Sequence, residues 1–144
     1  MPINSTLFGF SADEVHMQGE VWCSMLWECR ANLINKHGFT TGNQLMLQIV
    51  TDALKFTPAE PNFTTARNAI LLADAADNGS ANFKELWAGF AKRGLGVDAF
   101  APNSADTGGV VQSFDSLDDL LVSPGTLPLV QGPLGGPFVP STIR

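Results

Sequence analysis

The sequence predicts a mainly α protein: a four-helix unit of about 95 residues, then an irregular, acidic tail rich in proline and glycine. Three observations carry this. Apolar residues recur at three- and four-residue steps in four successive segments before Gly94. Each segment is closed by glycine or proline, the residues that end helices. Residues 95–144 then hold six of the nine prolines and seven of the fourteen glycines, and the periodicity disappears.

The first helix is expected from Glu20 to His37, with Val21, Met25, Leu26, Cys29, Leu33 and Ile34 as its buried stripe and Trp22 and Trp27 widening it. His37 falls in the last turn, where a cationic imidazole suits the C-terminal end of the dipole, and Gly38 is the expected left-handed residue beyond it. The second helix runs from about Asn43 to Phe56 on Leu45, Met46, Ile49, Val50, Ala53 and Leu54, and stops at "TPAEP". The third opens at "FTTARNAILLADAADNG", capped by Thr64 or Thr65. Ala66, Ala69, Ile70, Ala73 and Ala76 give it a small-residue face, and Gly79 ends it. The fourth starts at Ser80, buries Phe83, Leu86, Trp87, Phe90 and Ala91, and ends at "KRG", where Lys92 and Arg93 complement the dipole. In the tail, "VVQSFDSLDDLLV" reads as a strand or a short helix and the remainder as linker.

The 144 residues, 44% hydrophobic and 15% charged, are enough for one modest core. The net charge of −6 argues against a nucleic-acid partner, because eight scattered cations cannot replace condensed counterions. Residues 95–143 carry five aspartates and no lysine or arginine, so anionic membranes repel them, and no apolar run approaches the roughly 20 residues of a membrane span. "MPINSTLFGF" has neither the cationic start nor the apolar stretch of a secretory signal. Cys23 and Cys29 are six apart in one helix, about 9 Å between Cα atoms, too far for a disulfide. They read as two packed thiols.

Little chemistry follows from the residues alone. Two histidines at opposite ends of one helix, with no H-E-x-x-H, do not make a zinc site, which takes three or four ligands. His16 and Glu20, four apart, share a face if the helix begins early, but this is half a site. Cys23 lies about 10 Å from His16 along a helix and no third orienting group is evident, which argues against a cysteine hydrolase.

Three stretches taken together say more. "EVHMQGEVWCSMLWECRANLINKHG", "GNQLMLQIVTDALKFTPAEPNFTTARNAILLAD" and "GSANFKELWAGFAKRGLG" occur in this order over about residues 5–97. They resemble the C-terminal helical half of fungalysin-type zinc metalloendopeptidases, secreted enzymes of thermolysin-like architecture. The resemblance implies a C-terminal subdomain at 1–97, with 98–144 as linker. It further implies an extracellular setting, a polypeptide substrate, and a zinc-binding half that precedes this region and supplies the H-E-x-x-H ligands, the general-base glutamate and a downstream glutamate ligand. None of those has a counterpart here, so no zinc is expected on this chain alone, and alone it is expected to be inactive. His16 matches the histidine of the family's "EVH" motif, which donates a hydrogen bond to the oxyanion of the transition state. Glu14 and Glu20, with Asp13 nearby, are the carboxylates expected to orient it.

Fungalysin-like sequences often carry a cysteine pair at positions that are Ala59 and Lys84 here, so the implied staple is missing. "GPLGGPFVPSTIR" is similar to the opening strand of immunoglobulin-like modules appended to secreted enzymes. The alternative reading is a non-catalytic helical interaction module that kept the fold and lost the chemistry.

Overall fold

The computed structural model describes residues 6–7, 10–11, 15–103, 106 and 108–117. Its described elements are a minimal hairpin, β1 (Thr6–Leu7) and β2 (Phe10–Ser11), and four helices: α1 (Val15–His37), α2 (Phe39–Phe56), α3 (Phe63–Asn78) and α4 (Phe83–Ala91). The strands pair antiparallel, Thr6 with Ser11 and Leu7 with Phe10. The fold is mainly α, as the periodicity requires. "GPLGGPFVPSTIR" and the end of "VVQSFDSLDDLLV" lie outside the described residues.

α1 lies at the centre, packed along α2 on one side and α4 on the other, and α3 packs on α2. Its buried residues step by four, Val21, Met25, Cys29 and Leu33, and all are fully enclosed. The helix begins five residues earlier than the periodic stripe suggests. Half-buried Met17 extends the same four-residue step by one turn, which draws Val15–Gly19 into the helix. Trp27 does not widen the buried face; it is 57% exposed.

The turn between α1 and α2 is the single residue Gly38, with φ 82° and ψ 163°. Its φ is positive as expected, but ψ is extended rather than left-handed, so the chain reverses at once and α2 begins at Phe39, four residues before the expected Asn43. So abrupt a reversal brings the two backbones together. A Cβ added at Gly42 would lie 2.5 Å from the Leu33 carbonyl oxygen and 2.6 Å from the Ile34 Cα. Gly89 makes the equivalent crossing of α1 and α4, where a Cβ would lie 2.6 Å from Cys29 Sγ and 2.7 Å from its backbone nitrogen. In α2, Met46, Ile49 and Ala53 are buried as expected, while Leu54 points outward, 70% exposed.

α3 is capped by Asn62 rather than Thr64 or Thr65. Asn62 Oδ1 accepts from the Thr65 backbone N–H at 2.9 Å while Thr65 Oγ1 accepts from the Asn62 N–H at 2.9 Å, a reciprocal capping box. Asn62 Nδ2 also donates to the Ala101 carbonyl at 3.1 Å, tying the loop after Pro58 to the segment beyond α4. Gly79 closes the helix in the left-handed conformation, φ 58° and ψ 34°. Residues 79–82 form a turn, with Ser80 at φ 63°, so α4 begins at Phe83 rather than Ser80. Phe90 and Leu86 are fully buried, and Phe83 packs edge-on to Trp87 at 6.1 Å.

Residues 95–103 and 108–117 fold back onto the helices, where the sequence reads as irregular. Leu95 and Ala101 are buried, and bridges join Leu95 to Ser113 and Phe100 to Val111. The anchor is Arg67 of α3, 6% exposed. Its guanidinium donates to the Leu95 and Gly96 carbonyls at 3.1 and 2.6 Å and lies 4.4 Å from the Trp87 ring centroid. Burial lowers its pKa, and the carbonyls and the ring face replace the water it has lost.

Candidate functional site

His16 stands in the first turn of α1, and Glu20 follows one turn later; both are exposed. At about 100° per residue, His16, Glu20, Cys23 and Trp27 fall within roughly 60° of one another, opposite the stripe of Val21, Met25, Cys29 and Leu33. The histidine is therefore presented outward, away from the core. Glu14 and Asp13 lie outside the described residues.

The platform under His16 is rigid. Val21 is fully buried one turn on, and Trp22 stacks on Phe90 of α4 at 5.8 Å and leans on Phe63 of α3 at 6.4 Å. Further along, Glu28 accepts from Lys92 at 2.7 Å and also pairs with Arg93, bracing α1 against the end of α4. The Lys92 hydrogen bond, with help from Arg93, holds the Glu28 carboxyl below its ordinary range against the opposing effect of burial. Lys92 and Arg93 thus brace a neighbouring helix; α4 ends at Ala91, so they follow its last turn rather than fill it as expected.

The far end of α1 does structural work. His37 Nε2 lies 2.7 Å from Asn82 Oδ1, and Asn82 Nδ2 lies 2.7 Å from Asp74 Oδ1. Because the carboxylate accepts from the amide nitrogen, the amide oxygen must face the ring, which makes Nε2–H the donor. Asp74 also accepts from the Asn82 backbone N–H at 3.0 Å, and Lys36 donates to the Ala81 carbonyl at 2.6 Å and pairs with Glu85 at 2.8 Å. Lys36 and His37 thereby clamp the α3–α4 turn to α1. Sequence reasoning assigned His37 to the helix dipole and missed Asp74 and Asn82; the available signal was an aspartate at position i+4 from Ile70, on the stripe it shares with the core.

The described residues do not fit a resident zinc ion. His16 and Cys23 are separated by about two helical turns, roughly 10 Å, whereas zinc ligands converge within 2.0–2.3 Å of the metal. Among the described residues no group of three or more histidine, cysteine, aspartate or glutamate side chains is placed to hold a metal. An open groove of about 620 Å³ runs along α2 between Thr41, Gln44, Leu45, Leu47, Gln48 and Thr51, and none of its lining comes from α1.

The two thiols have different surroundings, which corrects their reading as a packed pair. Cys29 is enclosed, its Sγ donating to the Leu86 carbonyl at 3.4 Å, and burial pushes its pKa far up. Cys23 is exposed on the outward stripe. A disulfide-exchange reagent at pH 8 is expected to titrate one thiol at once and the second on the order of 10³-fold more slowly, at the rate of unfolding. Two rapid equivalents would contradict the buried position of Cys29.

Comparison with known proteins places this sequence in a metallopeptidase family. A sequence model of the fungalysin metallopeptidase family (M36) matches residues 2–99. Extracellular metalloproteinase 9 of Coccidioides posadasii is 45% identical over 108 residues, covering 66% of this chain and 17% of its own length. Extracellular metalloproteinase 1 of Trichophyton rubrum and extracellular metalloproteinase mep of Aspergillus flavus are each 46% identical over 100 residues, covering 60% of this chain and 16% of theirs. The chain thus spans about one-sixth of the length of the relatives it matches.

Proposed function

The chain belongs to the fungalysin metallopeptidase family of zinc peptidases, and on that premise we propose that it forms one wall of a metalloendopeptidase cleft and supplies His16 to the reaction. The imidazole donates a hydrogen bond to the substrate carbonyl oxygen as negative charge develops on it. Such a donor, held in place before the reaction, lowers the barrier without reorganising. Glu20, one turn along the same face, and Glu14, before the helix, are the carboxylates that orient the ring. The metal belongs to a part of the catalytic domain that these 144 residues do not encode, so the chain alone is inactive. Its setting is extracellular and its substrate a polypeptide, in line with the names of its relatives.

One observation carries this reading. The histidine of the family-matched region stands in the first turn of a helix that four buried residues and Trp22 lock in place, and it faces out of the bundle. The test is complementation: the chain is mixed with the remainder of the catalytic domain of the Aspergillus flavus relative, expressed without the matched stretch, and casein cleavage is followed. Activity is expected only from the mixture. His16→Ala is expected to lower kcat by about 10²- to 10³-fold, with the chain's thermal unfolding unchanged. Cleavage by the chain alone, or a His16→Ala mixture within about threefold of the parent, would refute the proposal.

A further inference from the structure

Arg30 of α1 holds its charge differently from the cations around it. Lys36, Lys55, Lys92 and Arg93 each meet a carboxylate, and Arg67 meets two carbonyls. Arg30 meets ring faces instead. Its guanidinium carbon lies over the Trp27 ring, 4.7 Å from the centroid, and over the Phe39 ring at 5.7 Å. Its Nε donates to Asn43 Oδ1 at 2.8 Å, and among the described residues its two terminal nitrogens reach no oxygen. Those nitrogens stay accessible to solvent. The α1–α2 corner assembles the group. Trp27 and Arg30 are three apart on α1, and Phe39 and Asn43 are four apart on α2, so each pair shares a helix face. The reversal at Gly38 sets the two pairs side by side. Both rings remain open, Trp27 57% and Phe39 67% exposed.

We propose that Arg30, Trp27, Phe39 and Asn43 form a binding site for an acidic polypeptide segment, one that carries aspartate or glutamate beside an apolar residue. The chemistry of the four groups selects that ligand. Asn43 fixes the guanidinium through Nε, which leaves the terminal N–H groups as a planar fork, and a carboxylate accepts two parallel hydrogen bonds from such a fork. The rings keep water from the faces of the guanidinium, so the ion pair forms at a lower effective dielectric than on open surface. They also offer apolar area to the residue beside the carboxylate, and tryptophan and arginine are prominent among the side chains that anchor contacts. A bare inorganic anion would engage the fork and leave the rings uncovered. The net charge of −6 does not forbid an acidic ligand, because charges more than about 8 Å apart are largely screened at physiological ionic strength. Glu28, the nearest acid in α1, is already paired with Lys92 and Arg93. On the function proposed above, the segment is part of the substrate. Arg30 stands fourteen residues beyond His16, about 21 Å along α1, which an extended chain spans in about six residues. The binding site itself does not rest on that function.

The test uses the isotope-labelled chain alone, titrated with the peptide acetyl-Leu-Asp-Leu-amide. The Arg30 Nε–H and Trp27 Nε1–H resonances report binding, and Trp27 alone reports it in the Arg30 variants. Saturable shifts of both resonances are expected. Acetyl-Leu-Asn-Leu-amide, which keeps the shape and loses the charge, is expected to bind at least about fivefold more weakly, and Arg30→Gln to weaken the aspartyl peptide by a similar factor. Arg30→Lys is expected to weaken it about threefold, because an ammonium keeps the charge without the fork. Lys55→Gln, at a cation already paired with Asp52, is expected to bind as the parent does. Thermal melting shows that each variant is folded, and the asparagine peptide needs no variant. The proposal is overturned if the aspartyl peptide shifts neither resonance, if the two peptides bind alike, or if Arg30→Gln binds with parental affinity. It is also overturned if sulfate at the same concentration reproduces the shifts and displaces the peptide, or if raising the chain's own concentration produces them without peptide. The two readings fail separately. Peptide binding by the chain, beside a His16→Ala mixture that cleaves at the parental rate, removes the catalytic role and leaves this site. Absent binding, beside an inactive His16→Ala mixture, does the reverse.

Discussion

Gly89→Ala is expected to lower the thermal midpoint of the chain by about 10–20 °C, a loss of roughly 3 kcal/mol. The new methyl would stand 2.6 Å from Cys29 Sγ, 2.7 Å from the Cys29 nitrogen and 2.8 Å from its Cα. The sulfur has some freedom to yield, but the other two atoms belong to the backbone of the central helix. The strain therefore falls on the α1–α4 crossing itself, where Val21, Met25, Leu86 and Phe90 are all fully buried. Trimming the neighbour should not help: Gly89→Ala with Cys29→Ala is expected to be no more stable than Gly89→Ala alone, since the backbone clash persists and a cavity is added. Differential scanning calorimetry of the three variants decides the matter. A double mutant restored to the parental midpoint would mean that only the sulfur contact is tight.

Asp74→Ala is expected to cost about 2–5 kcal/mol, the loss when two buried donors are left without their acceptor. The Asp74 side chain is wholly enclosed and accepts two hydrogen bonds from Asn82, one from the backbone and one from the amide. Without it the Asn82 donors are left buried and unpaired, and the amide that holds the His37 ring loses its anchor. The damage should therefore travel from α3 to the end of α1. Asp74→Asn, which keeps the shape but sets a donor against donors unless it can turn its oxygen inward, is expected to lie between the two. Urea titration measures both: a midpoint for Asp74→Ala within about 1 kcal/mol of the parent would show that the turn is held by Lys36 and Glu85 instead.

How much of this was legible in the sequence depends on which end of each helix is considered. The C-terminal ends of three helices, at His37, Phe56 and Asn78, stand where Gly38, Pro58 and Gly79 place them, because those residues act through their own backbone. The starts were misplaced. α1 begins at Val15, α2 at Phe39, α3 behind Asn62 and α4 at Phe83, each set by something distant in the chain or by a competing local bond. α1 gains a turn through the burial of Met17, α2 starts at once because Gly38 reverses the chain, and the α3–α4 turn is shaped by Asp74, Asn82 and Lys36. Outward residues were misjudged for a related reason. Trp27 and Leu54 are as apolar as their buried neighbours, and a helical period does not say how wide the covered stripe will be. Residues 95–103 and 108–117 gave no periodic signal because their order comes from Arg67, 28 residues before Leu95, and from bridges between irregular segments.

The sequence by itself determined four helices, where three of them stop, and the family. These are properties of local backbone preference and of residue identity, and both are written along the chain. Only the tertiary structure decided that α1 is central, that the face with His16, Glu20, Cys23 and Trp27 is its outward one, and that Gly42 and Gly89 are crossings. Such facts depend on which surfaces are already occupied when the helices come together, and a surface's occupancy is a property of the assembled fold.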